Sequence, residues 1–252
     1  MKIVFHLELY KLRRHPMTLF IISLCFGFMS LLFYRLCVDY LHLSHQALNT
    51  RNVAPSISFE IVKPLCSWTI ILLAIVLPLF TTLSFSQEFR QKTFTLWAMS
   101  PQSAFTIVMG KCLSLVLLLS LFLAMLVLMI IQLSFSATLM WEMILLSLTM
   151  VGLIGWSIIC FGLFISCCIS QPLLALGVTY AGVLIWMLLE WLNPFGENHK
   201  ALAKELSLLS HSEHALNGIA YSPDVVYFIL TSLFWLCLTL KIIGFRLKSV
   251  TT

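Results

Sequence analysis

Gln87-Glu88-Phe89-Arg90-Gln91-Lys92-Thr93-Phe94-Thr95-Leu96-Trp97 decides how this chain is read, because a charged stretch here separates two runs long enough to cross a bilayer. Centring one Arg, Lys or Asp in hydrocarbon costs roughly 2.5–3.5 kcal/mol on insertion scales, so the stretch belongs at a membrane face. As a helix it gathers Phe89, Thr93, Leu96 and Trp97 on one side, at i, i+4, i+7 and i+8, with Gln91 and Thr95 pointing away. The apolar side can pack on membrane-spanning helices while the polar side meets a soluble partner. Ser100-Pro101 then reads as an N-cap followed by proline at the first helical position, so a new helix starts there.

Outward from that segment, composition sets the class. The chain is 60% hydrophobic and 10% charged, with a mean hydropathy of +1.01, whereas soluble domains carry about 25% charged residues. The expected fold is all-α, a polytopic membrane protein forming a single transmembrane domain over 1–252. Six runs approach the roughly 20 residues needed to cross a core about 30 Å thick: 17–37, 64–86, 105–131, 142–167, 173–191 and 225–243. The third is long, which places its start, through Lys111, in the interface. Pro78 is expected to kink the second, and Gly152, Gly155 and Gly162 in the fourth read as sites of close helix packing.

Six spans put both termini on one side. That side would hold ten of the fifteen basic residues, including Lys11, Arg13, Arg14, Arg90, Lys92, Lys111 and Arg246, and the other would hold eight of the ten acidic ones. The positive-inside rule assigns the termini to the cytoplasm. The net charge of +5 is thus a topology signal; the basic residues are dispersed, without the aromatic-interleaved patch of a nucleic-acid binder. A first run bounded by Arg14 and Arg35 reads as a retained span and not as a cleaved signal. Most of the eight cysteines fall inside spans as small hydrophobes; Cys37 and Cys66 are the two whose positions would permit a disulfide.

Two further segments lie on the outer side. Residues 38–63 read as an ordinary loop. Residues 192–224 open on the turn cluster Asn193-Pro194-Phe195-Gly196, followed by Leu202, Leu206 and Leu209 at helical spacing, which suits a surface or re-entrant helix before the last span. Asp224 sits where a carboxylate meets the N-terminal dipole of that span. His211, Glu213 and His214 carry metal-ligand chemistry, but three polar residues in a surface loop are more commonly just solvated. Glu142 and Glu190 at span edges suit snorkelling, with a substrate or proton role as the alternative. A phosphate loop, a nucleophile elbow and a zinc-protease motif are all missing, which argues against an enzyme and against a cofactor bound by this chain.

The run from Gln87-Glu88-Phe89-Arg90 through Thr93 and Leu96 to Ser100-Pro101, followed by Gly110-Lys111, resembles the cytoplasmic coupling segment of type-2 ABC transporter permeases, which joins spans two and three. A short amino-terminal helix, Phe5 to Arg14, fits the same layout. His214-x-x-x-Gly218 followed by Asp224-Val225-Val226-Tyr227-Phe228 is similar to the gliding-motility and copper-enzyme-maturation branch. Where the family often has Gly before the Thr, and Glu two residues after it, this chain has Lys92 and Thr95.

The resemblance implies the permease subunit of an ATP-driven exporter in the inner membrane. Its partners would be two copies of a cytoplasmic ABC ATPase that bind ATP and Mg, a second permease copy or related chain, membrane lipid and an extracytoplasmic accessory protein, with no nucleic acid. Coupling would run through segment 87–100, with Glu88, Phe89, Arg90, Lys92, Thr93, Leu96 and Trp97 meeting the ATPase or fixing the corner. His214, Gly218, Asp224 and Tyr227 would form an outer gate. An ABC-like complex with an assembly or mechanical-signalling role is the alternative.

Overall fold

A computed structural model describes residues 4–8, 10, 16–50, 56–93, 103–135, 139–189, 207–219 and 221–251. Helices form throughout because a backbone in lipid must satisfy its own polar groups, and a helix does so within one segment. Residues 4–8 form a short helical piece. After it come α1 (Pro16–Thr50), a π-helical turn (Ser58–Val62) running into α2 (Lys63–Arg90), α3 (Ala104–Ser134), α4 (Trp141–Cys168), α5 (Pro172–Leu188), α6 (Leu208–Leu216) and α7 (Ser222–Thr251). Among the described residues, five of these helices are long and apolar enough to cross a membrane: α1, the π-turn with α2, α3, α4 and α7. α5 is apolar but has 17 residues, about 25 Å at 1.5 Å per residue, where an upright span needs about 30 Å.

α2 lies at the centre. Its most apolar stretch is 72% buried, against 11% for α1 on the periphery, and α4 packs on it more extensively than any other element does. Lipid tails are as apolar as leucine, so helix association in a bilayer depends on close backbone approach and interhelical hydrogen bonds. Gly162 of α4 supplies the approach: a Cβ there would stand 2.7 Å from Thr81 Cβ. One turn further along α4, Ser166 inserts its hydroxyl into α2, accepting from the N–H groups of Phe85 and Ser86 at 3.0 Å each and donating to the Thr82 carbonyl at 2.9 Å. A side chain wedged into the i→i−4 ladder opens a helix locally. Four residues earlier α2 has passed through Pro78, whose carbonyl accepts from the Thr82 hydroxyl at 2.8 Å. Gly155 likewise admits Leu119 of α3, and Gly152 has ordinary room.

Several expectations are corrected. The predicted loop over 38–63 is mostly helix: α1 runs on to Thr50, and α2 is reached through the π-turn. No Gly or Pro occurs between Gly27 and Pro55 to stop it. At 35 residues, about 52 Å, α1 exceeds a bilayer core by roughly 20 Å. The helix of the third span begins at Ala104 with Ser103 as its N-cap, the Ser103 Oγ accepting from Thr106 N–H at 3.3 Å; Ser100 and Pro101, the expected start, lie outside the described residues. The cysteines are not among these corrections: all eight, Cys37 and Cys66 included, are free thiols, in keeping with their reading as small hydrophobes.

Candidate functional site

Both ends of the described chain meet at one end of the bundle, here the terminal end. There α2 runs without a break through Gln87 to Arg90, so the helix extends four residues past the expected end of the second span at 86. It stops through backbone bonds: Lys92 N–H reaches Phe89 O at 3.2 Å and Thr93 N–H reaches Glu88 O at 3.1 Å, with Lys92 left-handed at φ 56°. That pairing is a Schellman stop. A helix continuous from Phe89 to Trp97 is therefore excluded, because the left-handed residue redirects the chain after position 92; Leu96, Trp97 and the rest of 94–100 lie outside the described residues. Lys92 occupies the place that normally takes glycine, at a cost of roughly 1 kcal/mol. We expect Lys92→Gly to stabilise the protein by about that amount, read as a higher thermal midpoint in detergent; no gain would mean that the Lys92 side chain compensates for its backbone.

Glu88 points inward. Lys111 of α3, fully buried, places Nζ 2.9 Å from Glu88 Oε1, 2.8 Å from Glu8 Oε1 of the amino-terminal piece and 2.7 Å from the Ser84 carbonyl. The Phe85 ring lies 4.7 Å from the same ammonium. A buried charge persists where it is paired and its hydrogen bonds are filled, and here three bonds and an aromatic face surround one ammonium. The trio ties the amino-terminal piece, the end of α2 and the start of α3 into one body. Gly110 permits the fit, because a Cβ at that position would stand 2.8 Å from Val4 Cβ. Lys111 thus sits inside the protein and not at an exposed interface, as its span-edge position had suggested.

The rest of the segment divides by exposure. Phe89 is half-buried, stacked on Phe85 at 6.2 Å, with the Arg246 guanidinium of α7 4.2 Å above its ring. Arg90, Gln91 and Lys92 are exposed and Thr93 half-buried. Glu8, Phe85 and Arg246 were not singled out from sequence. One signal was available for Glu8: it and Glu88 are the two acidic residues assigned to the side with the basic excess, and both pair with one buried lysine.

At the opposite, distal end, His214, Gly218, Asp224 and Tyr227 do come together. Buried Asp224, in the first turn of α7, has His211 Nδ1 2.7 Å from Oδ1 and His214 Nδ1 3.4 Å from Oδ2. The His211 ring stacks on Tyr227 at 4.3 Å, and the Tyr227 hydroxyl accepts from Trp186 Nε1 of α5 at 2.8 Å. Gly218, at φ 79°, ends α6 by the same Schellman pairing, with Ile219 N–H on His214 O at 2.9 Å. The histidines therefore belong to a docked helix, which corrects the solvated-loop reading; residues 192–206, with the turn cluster and Leu202 and Leu206 of the predicted surface helix, lie outside the described residues. The His211–Asp224 bond was illegible because the two residues stand 13 apart across a turn. Among the described residues, no three His, Cys, Asp or Glu side chains are grouped to hold a metal ion.

The chain matches no family model and no curated protein.

Proposed function

We propose that this chain is the permease subunit of an ATP-driven type-2 ABC exporter of the inner membrane, with both termini cytoplasmic and the terminal end facing its ATPase. One observation carries the reading: the buried Glu8–Lys111–Glu88 trio joins the exposed corner at 90–93 to two long apolar helices and the amino-terminal piece. A push on that corner moves α2 and α3 together, because buried charges cannot be parted without stranding one of them. Arg90 and Lys92 offer the charged contacts and Glu88 fixes the corner from within. α5 completes six spans by sitting in locally thinned bilayer, which costs fractions of a kcal/mol per Å of mismatch. The exposed apolar faces of α1, α2 and α5, including Phe20, Trp68 and Leu184, suit pairing with a second permease copy. The distal cluster closes the outer mouth, and ATP and Mg are held by the partner.

The test is purification of the tagged chain from its native membrane in mild detergent, with identification of co-purifying proteins and an ATPase assay. A stoichiometric ATPase is expected, and Arg90→Ala should weaken its retention about tenfold, near 1.4 kcal/mol. A chain that purifies alone, or an ATPase indifferent to Arg90 and Glu88 substitutions, would end the coupling assignment. The length of α1 beyond the bilayer favours a second reading, an ABC-like complex that powers an extracytoplasmic accessory protein in an assembly or signalling role. Recovery of a large extracytoplasmic partner with the ATPase, without ATP-dependent substrate movement, would select it.

A further inference from the structure

A cavity of about 370 Å³ opens on the flank of the distal end, beside the Asp224 cluster. Its volume falls within the ~300–1,000 Å³ of ordinary ligand pockets. Met150 of α4 and Ala215 of α6 form a buried floor, and Leu146, Val225 and Val226 form apolar walls. Leu146 and Met150 lie five and nine residues into α4, roughly 8–14 Å from its start at 1.5 Å per residue, which is the depth of one leaflet. The wall residue Val226 is itself 52% exposed, and Leu145 and Leu230, next to the wall on the same two spanning helices by sequence, are 60% exposed each. At the outer lip stands Tyr221, also 54% exposed, with its ring stacked on His214 at 5.4 Å. A tyrosine and a histidine above an apolar slot reproduce the headgroup-level aromatic belt of membrane proteins.

We propose that this groove is a lipid site, holding one acyl chain of a phospholipid of the distal leaflet with its headgroup against Tyr221 and His214. Shape separates this occupant from a protein one. A helix with side chains is about 10–12 Å across and cannot enter a recess of this volume between α4 and α7, whereas a flexible methylene chain can. The groove is continuous with the lipid-facing surface, its walls are apolar and its lip is polar, which is the profile of an amphiphile seated upright. The site stands on the membrane-spanning character of α4 and α7 and is independent of any ATPase partner.

The experiment uses the full chain, with whatever subunits accompany it, in liposomes of phosphatidylethanolamine and phosphatidylglycerol. A trace of phosphatidylethanolamine carries a photoactivatable diazirine midway along one acyl chain, and adducts are mapped by peptide mass spectrometry. Adducts on 146–150 and 219–226 should exceed those on the comparably exposed Leu128 of α3, a helix outside the proposed permease pairing, about tenfold, equivalent to ~1.4 kcal/mol of preferential occupancy. Thr149 and Ile219 also line the groove; Thr149→Trp, which lays an indole across the mouth, should bring the adducts down to the α3 level, while Thr149→Ser leaves them unchanged. Ile219→Trp blocks the groove from the α6 side and serves the same purpose if Thr149→Trp fails to elute as a single species. Even labelling along the lipid-facing surface would overturn the proposal. So would groove labelling indifferent to both indoles, or cross-links to a second copy in place of lipid adducts.

Discussion

Lys111→Met will cost about 3–5 kcal/mol, the range found when one partner of a buried ion pair is removed and the other charge is stranded. Two carboxylates, Glu8 and Glu88, converge on this ammonium at 2.8 and 2.9 Å, and a thioether offers neither a charge nor a donor. In detergent the variant should lose most of its thermally resistant fraction, and the amino-terminal piece should become protease-sensitive first, since Glu8 and Val4 both dock against the start of α3. Neutralising the whole trio, Glu8→Gln, Lys111→Met and Glu88→Gln together, should recover most of the loss, because desolvated charge is removed from all three positions. A triple variant as unstable as Lys111→Met alone would show that packing at 111, and not the charge, holds the corner. A Lys111→Met protein as stable as the parent would refute the trio as a weld.

Gly162→Ala is the second large effect, and it arises from a single methyl group. The new Cβ would stand within contact distance of both the Thr81 hydroxyl and its Cβ, the latter at 2.7 Å. A Cβ is anchored to its own backbone, so α2 and α4 must move apart. Overpacking of this kind costs about 1–3 kcal/mol. The separation also pulls Ser166 out of α2, where its hydroxyl serves two N–H groups and one carbonyl. Ser166→Ala alone should therefore destabilise, and the double variant Gly162→Ala/Ser166→Ala should lose less than the two singles added together, since they disable the same contact. Strict additivity in thermal denaturation would place the two residues in separate contacts. Unchanged stability of Gly162→Ala would mean that the helices approach less closely than Gly162 permits.

The two effects differ in how far the sequence announced them. Gly162 was legible as a packing residue, because a glycine in a spanning helix has few other uses; its partner Thr81 was not, since nothing local relates residues 81 and 162. Lys111 was legible as a charge at the edge of a span, and edge charges usually snorkel to the interface. Its burial depends on Glu8 and Glu88, which lie 103 and 23 residues away. The helical reading of 89–97 misled for a related reason. Phe89, Thr93, Leu96 and Trp97 keep helical spacing, and no glycine or proline marks the stop; it is made by a lysine in the left-handed region, a conformation that a non-glycine residue adopts when the surrounding contacts compensate for it.

What the sequence determined by itself was the solvent. Sixty per cent hydrophobic residues, with charges held to the ends of long apolar runs, require helices in a membrane, because an unsatisfied backbone group in hydrocarbon costs several kcal/mol. Periodicity and charge also placed a polar segment at 87–100, of which the described residues reach 93, and the His–Asp–Tyr segment leading into the last helix. Tertiary structure alone decided which charges meet, where α1 and α2 end, and how the distal histidines are held by Asp224. Burial of a lysine, the stop at Lys92 and the contact between Gly162 and Thr81 each depend on groups brought together from distant parts of the chain. Local propensity describes one helix at a time, and these features exist only where two or three helices touch.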